Sequence, residues 1–85
     1  MPKAKNPVVK IREDLDMTRE DLSRIANISY SAIYAVERGN ALSISRKILK
    51  ALQDLGYDPQ KIAEDYMNYK QQLSKELKSK YANAK

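Results

Sequence analysis

Proline and glycine, the residues that most readily interrupt a helix, are rare in this chain and fall near the ends of helical patterns. The 85 residues include three prolines and two glycines. Pro7 and Pro59 each follow a residue with a capping side chain, so each suits the first position of a helix. Gly39 and Gly56 come shortly after apolar residues spaced three and four apart, where a helix would end. This placement predicts a chain built of helices.

The apolar spacing divides the chain into five helical segments and shows no strand pattern. No segment alternates apolar and polar residues for long, and no Asn-Gly or Asp-Gly pair marks a hairpin. The predicted helices cover residues 7–15, 18–27 and 29–38, then a fourth from Ser43 or Ser45 to 56, and a fifth from 59 to about 80. We therefore predict an all-α, five-helix fold with a flexible basic arm at 1–6, a helical domain at 7–58, and a long C-terminal helix at 59–85 whose end is frayed.

The composition excludes most kinds of catalytic and metal site. The chain contains no cysteine and no histidine, which removes the thiolate and imidazole groups that serve as nucleophiles, bases and metal ligands. The acidic residues between 14 and 21 are typical of helix caps and solvated helix faces, and no glycine-rich phosphate loop is present. We therefore expect no enzyme activity, no cofactor and no small-molecule ligand.

Size, cysteine content and the longest apolar run bear on where the protein works. A chain of 85 residues suffices for one small domain, and a small domain without disulfides fits a reducing compartment. The longest uninterrupted apolar run extends only from Ala32 to Val36, far short of the roughly 20 residues that cross a bilayer. We expect a cytoplasmic protein with no membrane segment.

Residues 18–39 carry the most informative pattern in the chain. Thr18 and Asp21 form an acidic version of the capping box at the start of one helix. Asn27 suits the left-handed conformation that ends this helix, and Ser29 can cap the next one. Two capped helices joined by so tight a turn predict a helix-turn-helix unit, whose second helix forms a ridge sized for the major groove of DNA.

Three short motifs in this region belong together. They are Ile-Arg-Glu at 11–13, Leu-Ser-Arg-Ile-Ala-Asn-Ile-Ser at 22–29 and Val-Glu-Arg-Gly at 36–39. Over about residues 8–58 the chain resembles the lambdoid repressor and Cro family, the xenobiotic-response-element type of helix-turn-helix regulator. The resemblance implies a lambda-repressor-like fold and a homodimer that binds double-stranded DNA. It also implies a prokaryotic or phage-encoded protein that acts on nucleoid DNA as the repressor of a phage, plasmid or other mobile element.

The family's pattern places five groove-facing residues on the second helix of this unit: Tyr30, Ser31, Tyr34, Ala35 and Arg38. Spacing independently supports this face, because positions 30, 34 and 38 repeat every four residues opposite the apolar positions 33 and 36. Only Arg38 is among the side chains that most often hydrogen-bond to bases. Tyrosine rings and Ala35 can pack on thymine methyl groups. We therefore expect base recognition to depend less on hydrogen bonds and more on thymine contacts and DNA shape. The alternative is that Tyr30 and Tyr34 extend a core or a partner surface.

Contacts to DNA phosphates are expected on both sides of this helix. Arg19 lies in the first turn of the preceding helix and matches a family position that faces the DNA backbone. Asn40, Lys3 and Lys5 are further candidates for phosphate contacts. Through residue 58 the chain has ten basic and eight acidic side chains, so its helical domain is only slightly basic. A few well-placed charges must therefore make the phosphate contacts.

Arg12 and Glu37 match family positions that form a largely buried ion pair between the first helix and the end of the third. Both lie beside apolar positions of their own helices, as a buried pair requires. The alternative is two solvated surface charges, which contribute far less to stability. The resemblance thus predicts a structural contact directly behind the DNA-reading helix.

The last helix carries an apolar stripe longer than a domain of this size can cover. Its members are three or four residues apart: Ile62, Tyr66, Tyr69, Leu73 and Leu77. We expect these five residues to form a dimer or partner interface, with the first half of the helix packed on the domain or at a two-fold axis. The alternative is a basic, half-frayed helix that has no partner.

Other functions share these sequence features. A helix-turn-helix can bind a protein, so the tyrosine-rich third helix or the long last helix could act on another regulator. The antitoxin of a toxin–antitoxin pair and the controller of a restriction system would show the same pattern as a repressor. The sequence therefore favours a DNA-binding regulator and leaves these alternatives open.

Overall fold

The structure, a computed structural model, describes residues 5–82 and consists of five helices joined by short turns. They are α1 (Pro7–Asp14), α2 (Arg19–Ala26), α3 (Tyr30–Glu37), α4 (Arg46–Asp54) and α5 (Pro59–Ala82). No strand occurs in the described residues, and the prediction of an all-α, five-helix fold with a long last helix is confirmed. Of the two candidate caps of α4, Ser45 is the one that caps it. The predicted arm up to residue 4, with Lys3, and the predicted frayed end at 83–85 lie outside the described residues.

Local capping fixes the turn between α2 and α3. Thr18 accepts a hydrogen bond from the Asp21 amide at 3.0 Å, and the Asp21 carboxylate accepts one from the Thr18 amide at 3.4 Å. Asn27 ends α2 with a φ of 54°, in the left-handed region. Ser29 then caps α3 by accepting from the Ala32 amide at 3.2 Å. The predicted helix-turn-helix therefore rests on hydrogen bonds between residues close in the chain.

All five helices contribute to one core, and the first half of α5 completes it. The buried apolar residues are Val8, Ile11, Leu22, Ala26, Ile33, Val36, Ile44, Ile48, Ala51, Leu52, Ile62 and Tyr66. The Tyr66 hydroxyl donates to the Ala41 carbonyl at 2.7 Å, and burial raises the pKa of Tyr66. Ile62 and Tyr66 thus pack on the domain, one of the two placements expected for the first half of the stripe, and their assignment to a dimer or partner interface is corrected. Because α5 packs on α1 and α4, these two side chains belong to the chain's own core.

The middle of α5 packs against the end of α3. Gly39 follows α3 with a φ of 78°. A β-carbon at this position would lie 2.9 Å from Cδ1 of Leu73 and 3.1 Å from Cε2 of Tyr69. The Lys70 ammonium donates to the Ala41 carbonyl at 2.7 Å, just beyond this turn. Glycine therefore permits both the left-handed turn and the close approach of α5.

The last turns of α5 extend past the rest of the fold. Leu77 is 53% exposed and Tyr81 is 63% exposed. The molecule measures 47 Å along its longest axis and 23 and 21 Å across it. Long as α5 is, no helix within residues 5–82 is both long and apolar enough to cross a membrane. The apolar stripe of α5 is thus buried at its start and uncovered at its end.

Asn6 joins the start of α1 to the end of α3. Its side-chain oxygen accepts from the amides of Val8 and Val9 at 3.0 and 3.3 Å, which is the predicted N-cap. Its side-chain nitrogen donates to the carbonyls of Val36 and Glu37 at 2.9 and 3.1 Å. The residue is buried. The prediction that the flexible arm extends to residue 6 is therefore corrected, because the side chain of Asn6 is buried in the fold.

Asn6→Ala is expected to lower the free energy of unfolding by about 2 to 4 kcal/mol. About 1 kcal/mol comes from the lost cap, and about 1 to 3 kcal/mol from the Glu37 carbonyl, which is left without this partner. Urea denaturation measures the loss. The control is Ser45→Ala, which removes an exposed cap alone and should cost about 1 kcal/mol. Equal losses in the two variants would show that the tie from Asn6 to α3 contributes nothing.

Candidate nucleic-acid interface

One side of α3 faces the core and the other faces solvent. Ile33 and Val36 are buried. On the opposite side, Tyr30 is 47% exposed and Tyr34 is 40% exposed, so the two tyrosines do not extend the core. The predicted base-reading residues all lie on this open side, where four are exposed and Ala35 is half-buried: Tyr30, Ser31, Tyr34, Ala35 and Arg38. α3 therefore presents a continuous surface of small, aromatic and basic side chains.

Tyr34 and Arg38, which lie one helical turn apart, contact each other on this surface. Nη1 of Arg38 donates to the Tyr34 hydroxyl at 3.2 Å. The Arg38 guanidinium carbon lies 5.4 Å from the centre of the Tyr34 ring, within cation–π range. An arginine held in this way presents an oriented guanidinium group to any ligand that approaches α3.

Behind this surface, the carboxylate of Glu37 is buried against α1. Its side chain is only 2% exposed. Nε of Arg12 donates to Oε2 of Glu37 at 2.7 Å, and Nη2 donates to Oε1 at 3.2 Å. Nη1 of Arg12 donates to the Met17 carbonyl at 3.0 Å. The two residues predicted to pair thus form a bidentate contact in a buried environment, unlike a pair of solvated charges.

Arg19 is a second partner of Glu37, and nothing in the sequence indicated this contact. Nε of Arg19 donates to Oε1 of Glu37 at 2.7 Å, and the guanidinium carbon lies 5.2 Å from the centre of the Tyr34 ring. Hydrogen bonding to Glu37, and then to Tyr30, raises the pKa of Arg19. The side chain remains 35% exposed. The residue predicted to contact a DNA phosphate is therefore engaged in contacts within the protein.

The other predicted phosphate contacts lie in different surroundings. Asn40 is exposed directly after the turn that ends α3. The Lys5 ammonium lies 2.5 Å from Oε1 of Glu13 in an exposed ion pair, and the hydrogen bond and charge of Lys5 lower the pKa of Glu13. Lys3 lies outside the described residues. Of the two predicted contacts that fall within the described residues, Asn40 lies next to α3 and Lys5 does not.

Two basic residues near the turn were not selected from the sequence. Arg46 and Lys47 are exposed at the start of α4, and the Lys47 ammonium donates to the Asn27 carbonyl at 3.2 Å. The only sequence signal was a pair of basic residues directly after the cap at Ser45. This signal is weak, because none of the three motifs that carry the family resemblance extends past Gly39. The structure places positive charge beside the turn between α2 and α3.

A comparison with known protein families finds a match over the part of the chain that contains this surface. A family model described as helix-turn-helix matches residues 8–62, well over half of the 85 residues. No curated protein and no solved structure matches the chain. Within residues 5–82 no group of three or more acidic side chains is placed to hold a metal ion. The matched range contains α2, α3 and the whole candidate surface.

Proposed function

The chain belongs to the Cro/C1-type helix-turn-helix family of DNA-binding regulators, and on this premise we propose that it is a transcriptional repressor that reads the major groove with α3. The observation that carries the proposal is the open side of α3, from which Tyr30, Tyr34 and Arg38 project while Ile33 and Val36 anchor the other side. The repressor acts as a homodimer on paired half-sites. Its operators belong to a phage, plasmid or other mobile element.

One charged side chain and three side chains with apolar surface recognise the bases. Arg38 supplies the donors that pair with the acceptors of guanine. The rings of Tyr30 and Tyr34, with the methyl group of Ala35, pack on the methyl groups of thymine. We therefore expect half-sites that combine thymine-rich positions with one guanine, and a strong dependence on DNA shape.

Phosphate contacts flank the reading helix. Asn40 follows α3 directly, and Arg46 and Lys47 lie beside the α2–α3 turn. Lys3 and Lys5 precede α1 and supply further positive charge near the DNA. Because the domain is only slightly basic, this small set carries the electrostatic part of the affinity.

DNA binding should weaken steeply as the salt concentration rises. The protein is titrated against the DNA upstream of its own gene at several salt concentrations in a gel-shift assay, with a scrambled duplex as control. Each phosphate contact is expected to contribute about 0.9 to the slope of log K against log salt. The scrambled duplex should bind more weakly and also lose affinity with salt. Salt-independent binding would contradict the proposal, and a protein ligand without DNA binding would favour a module that acts on another regulator.

The dimer proposal rests on the uncovered end of the α5 stripe. Tyr69 packs against the core from its edge, and Leu73 contacts the Gly39 turn. Leu77 and Tyr81 continue the same stripe into solvent. A second copy of the chain would cover these side chains, and a two-fold axis here would match paired half-sites on the DNA.

Leu77→Glu is expected to weaken the homodimer at least about tenfold, because each protomer loses an apolar contact and gains a charge at the interface. Sedimentation velocity measures the change. Leu77 is half-exposed in the single chain. Its substitution should therefore leave the urea midpoint unchanged at protein concentrations low enough for the chain to be monomeric. Ser79→Glu, an exposed position on another side of α5, introduces the same charge and should preserve the dimer. A dimer that survives Leu77→Glu would place the interface elsewhere.

A further inference from the structure

We propose that Arg19 is a positioning residue, which fixes the ring of Tyr34 for base reading and does not act chiefly as a phosphate contact. The inference rests on the proposed function, because it assigns a role within the reading of DNA by α3. It starts from the position of Arg19, which joins the buried carboxylate of Glu37 to an exposed tyrosine of the reading surface.

The inner end of this connection is rigid. Glu37 is 2% exposed in its side chain, and Arg12 holds both of its carboxylate oxygens from α1. Arg12 itself is held by the Met17 carbonyl. When Nε of Arg19 donates to Oε1 of Glu37 at 2.7 Å, it therefore binds a carboxylate on α3 that Arg12 of α1 already holds.

The outer end of the connection reaches the reading surface. The guanidinium carbons of Arg19 and Arg38 lie 5.2 and 5.4 Å from the centre of the Tyr34 ring. Without such neighbours, a tyrosine that is 40% exposed would sample several rotamers and lose that freedom on binding DNA. Holding the ring beforehand reduces this cost, which is the general advantage of preorganisation. Arg19 thereby couples the core of the domain to the orientation of Tyr34.

A positioning residue and a phosphate contact differ in three measurable ways. Loss of a phosphate contact lowers affinity for every duplex and reduces the salt slope by about 0.9 per contact. Loss of a positioning residue lowers affinity for the operator, leaves the salt slope unchanged, and has no further effect once Tyr34 is removed. Lysine can replace arginine as a point charge on a phosphate, but it lacks the planar guanidinium group whose Nε pairs with Glu37 and whose central carbon lies over the Tyr34 ring.

The first measurement uses the free protein. In a spectrum of the full chain with ¹³C-labelled tyrosine, Arg19→Lys should shift the ring resonances of Tyr34 and leave those of Tyr57, in the connection between α4 and α5, in place. Urea denaturation of the same variant confirms that it is folded. Unchanged Tyr34 resonances would overturn the inference whether or not the protein binds DNA.

The second measurement is a double-mutant cycle on DNA. Arg19→Lys and Arg19→Gln should each lower affinity for the operator about 5- to 30-fold, the loss of one cation–π contact in each of two protomers. Both variants should change affinity for a scrambled duplex less than about twofold and keep the salt slope. In a Tyr34→Ala background the effect of either change should disappear.

The outcomes separate the two proposals. Equal losses on both duplexes, with a smaller salt slope for Arg19→Gln and recovery in Arg19→Lys, would overturn the positioning role and make Arg19 a phosphate contact. Additive effects of the Arg19 and Tyr34 substitutions would also overturn it. If the unaltered protein shows no preference for any duplex, the proposed function fails, and the Tyr34 resonances still decide whether Arg19 fixes the ring.

Discussion

Replacing Glu37 with alanine is expected to lower the free energy of unfolding by about 3 to 5 kcal/mol, the cost of removing one side of a buried, hydrogen-bonded ion pair. Two guanidinium groups, of Arg12 and Arg19, would lose their shared acceptor. The two positive guanidinium groups would then repel each other, because no carboxylate would lie between them to compensate their charge. Since a small domain has only about 5 to 15 kcal/mol of stability in total, urea denaturation should show a large shift of the midpoint.

Two comparisons test the assignment of this loss to the buried carboxylate. Glu20→Ala, which removes an exposed carboxylate from α2, should change stability by less than about 0.5 kcal/mol. Arg12→Ala should cost less than Glu37→Ala, because Arg19 still pairs with the carboxylate. A loss below about 1 kcal/mol for Glu37→Ala would place this cluster among ordinary surface pairs.

Arg38→Ala is expected to weaken binding to the operator by more than about 30-fold. A good bidentate contact between arginine and guanine contributes about 1 to 3 kcal/mol, and a homodimer contains two such contacts. Affinity for a scrambled duplex should fall much less. Because Arg38 is exposed after the last turn of α3, the fold should keep its stability. Fluorescence anisotropy on both duplexes measures the difference.

The matched control for this prediction removes a positive charge away from α3. Lys61 lies on α5 and pairs with Asp65 at 3.2 Å, so Lys61→Ala should leave affinity for the operator nearly unchanged. Arg38→Lys should restore part of the affinity for all DNA but little of the preference for the operator. Equal losses for Arg38→Ala on operator and scrambled DNA would show that Arg38 reads no base.

The helices and the turn were predictable from the sequence because their signals are local. The capping box of Thr18 and Asp21, and the left-handed Asn27, depend only on residues within a few positions. The open face of α3 was predictable for the same reason, because helical periodicity separates it from Ile33 and Val36. Such features do not require knowledge of how the helices pack.

The contacts that sequence reasoning missed join residues far apart in the chain. Asn6 meets carbonyls about thirty positions away, and Arg19 meets a carboxylate eighteen positions away. Each contact depends on the angle at which one helix crosses another, which a single sequence does not reveal. The resemblance supplied the pair of Arg12 and Glu37 but carried no information on the third partner.

The apolar stripe of α5 illustrates the same limit. Its spacing is uniform from Ile62 to Leu77, so periodicity alone could not show where the domain stops covering it. The structure buries Ile62 and Tyr66 and leaves Leu77 half-exposed. Only the size and packing of the other four helices determine this division.

Selection from a random library of duplexes tests most directly whether α3 reads DNA sequence. The folded protein is incubated with the library, and bound duplexes are sequenced alongside the starting pool. We expect enrichment of a two-fold symmetric motif with thymine-rich half-sites and one guanine in each. The same selection with Arg38→Ala should keep the motif but relax that guanine. Bound duplexes with no enrichment over the starting pool would contradict base reading by α3.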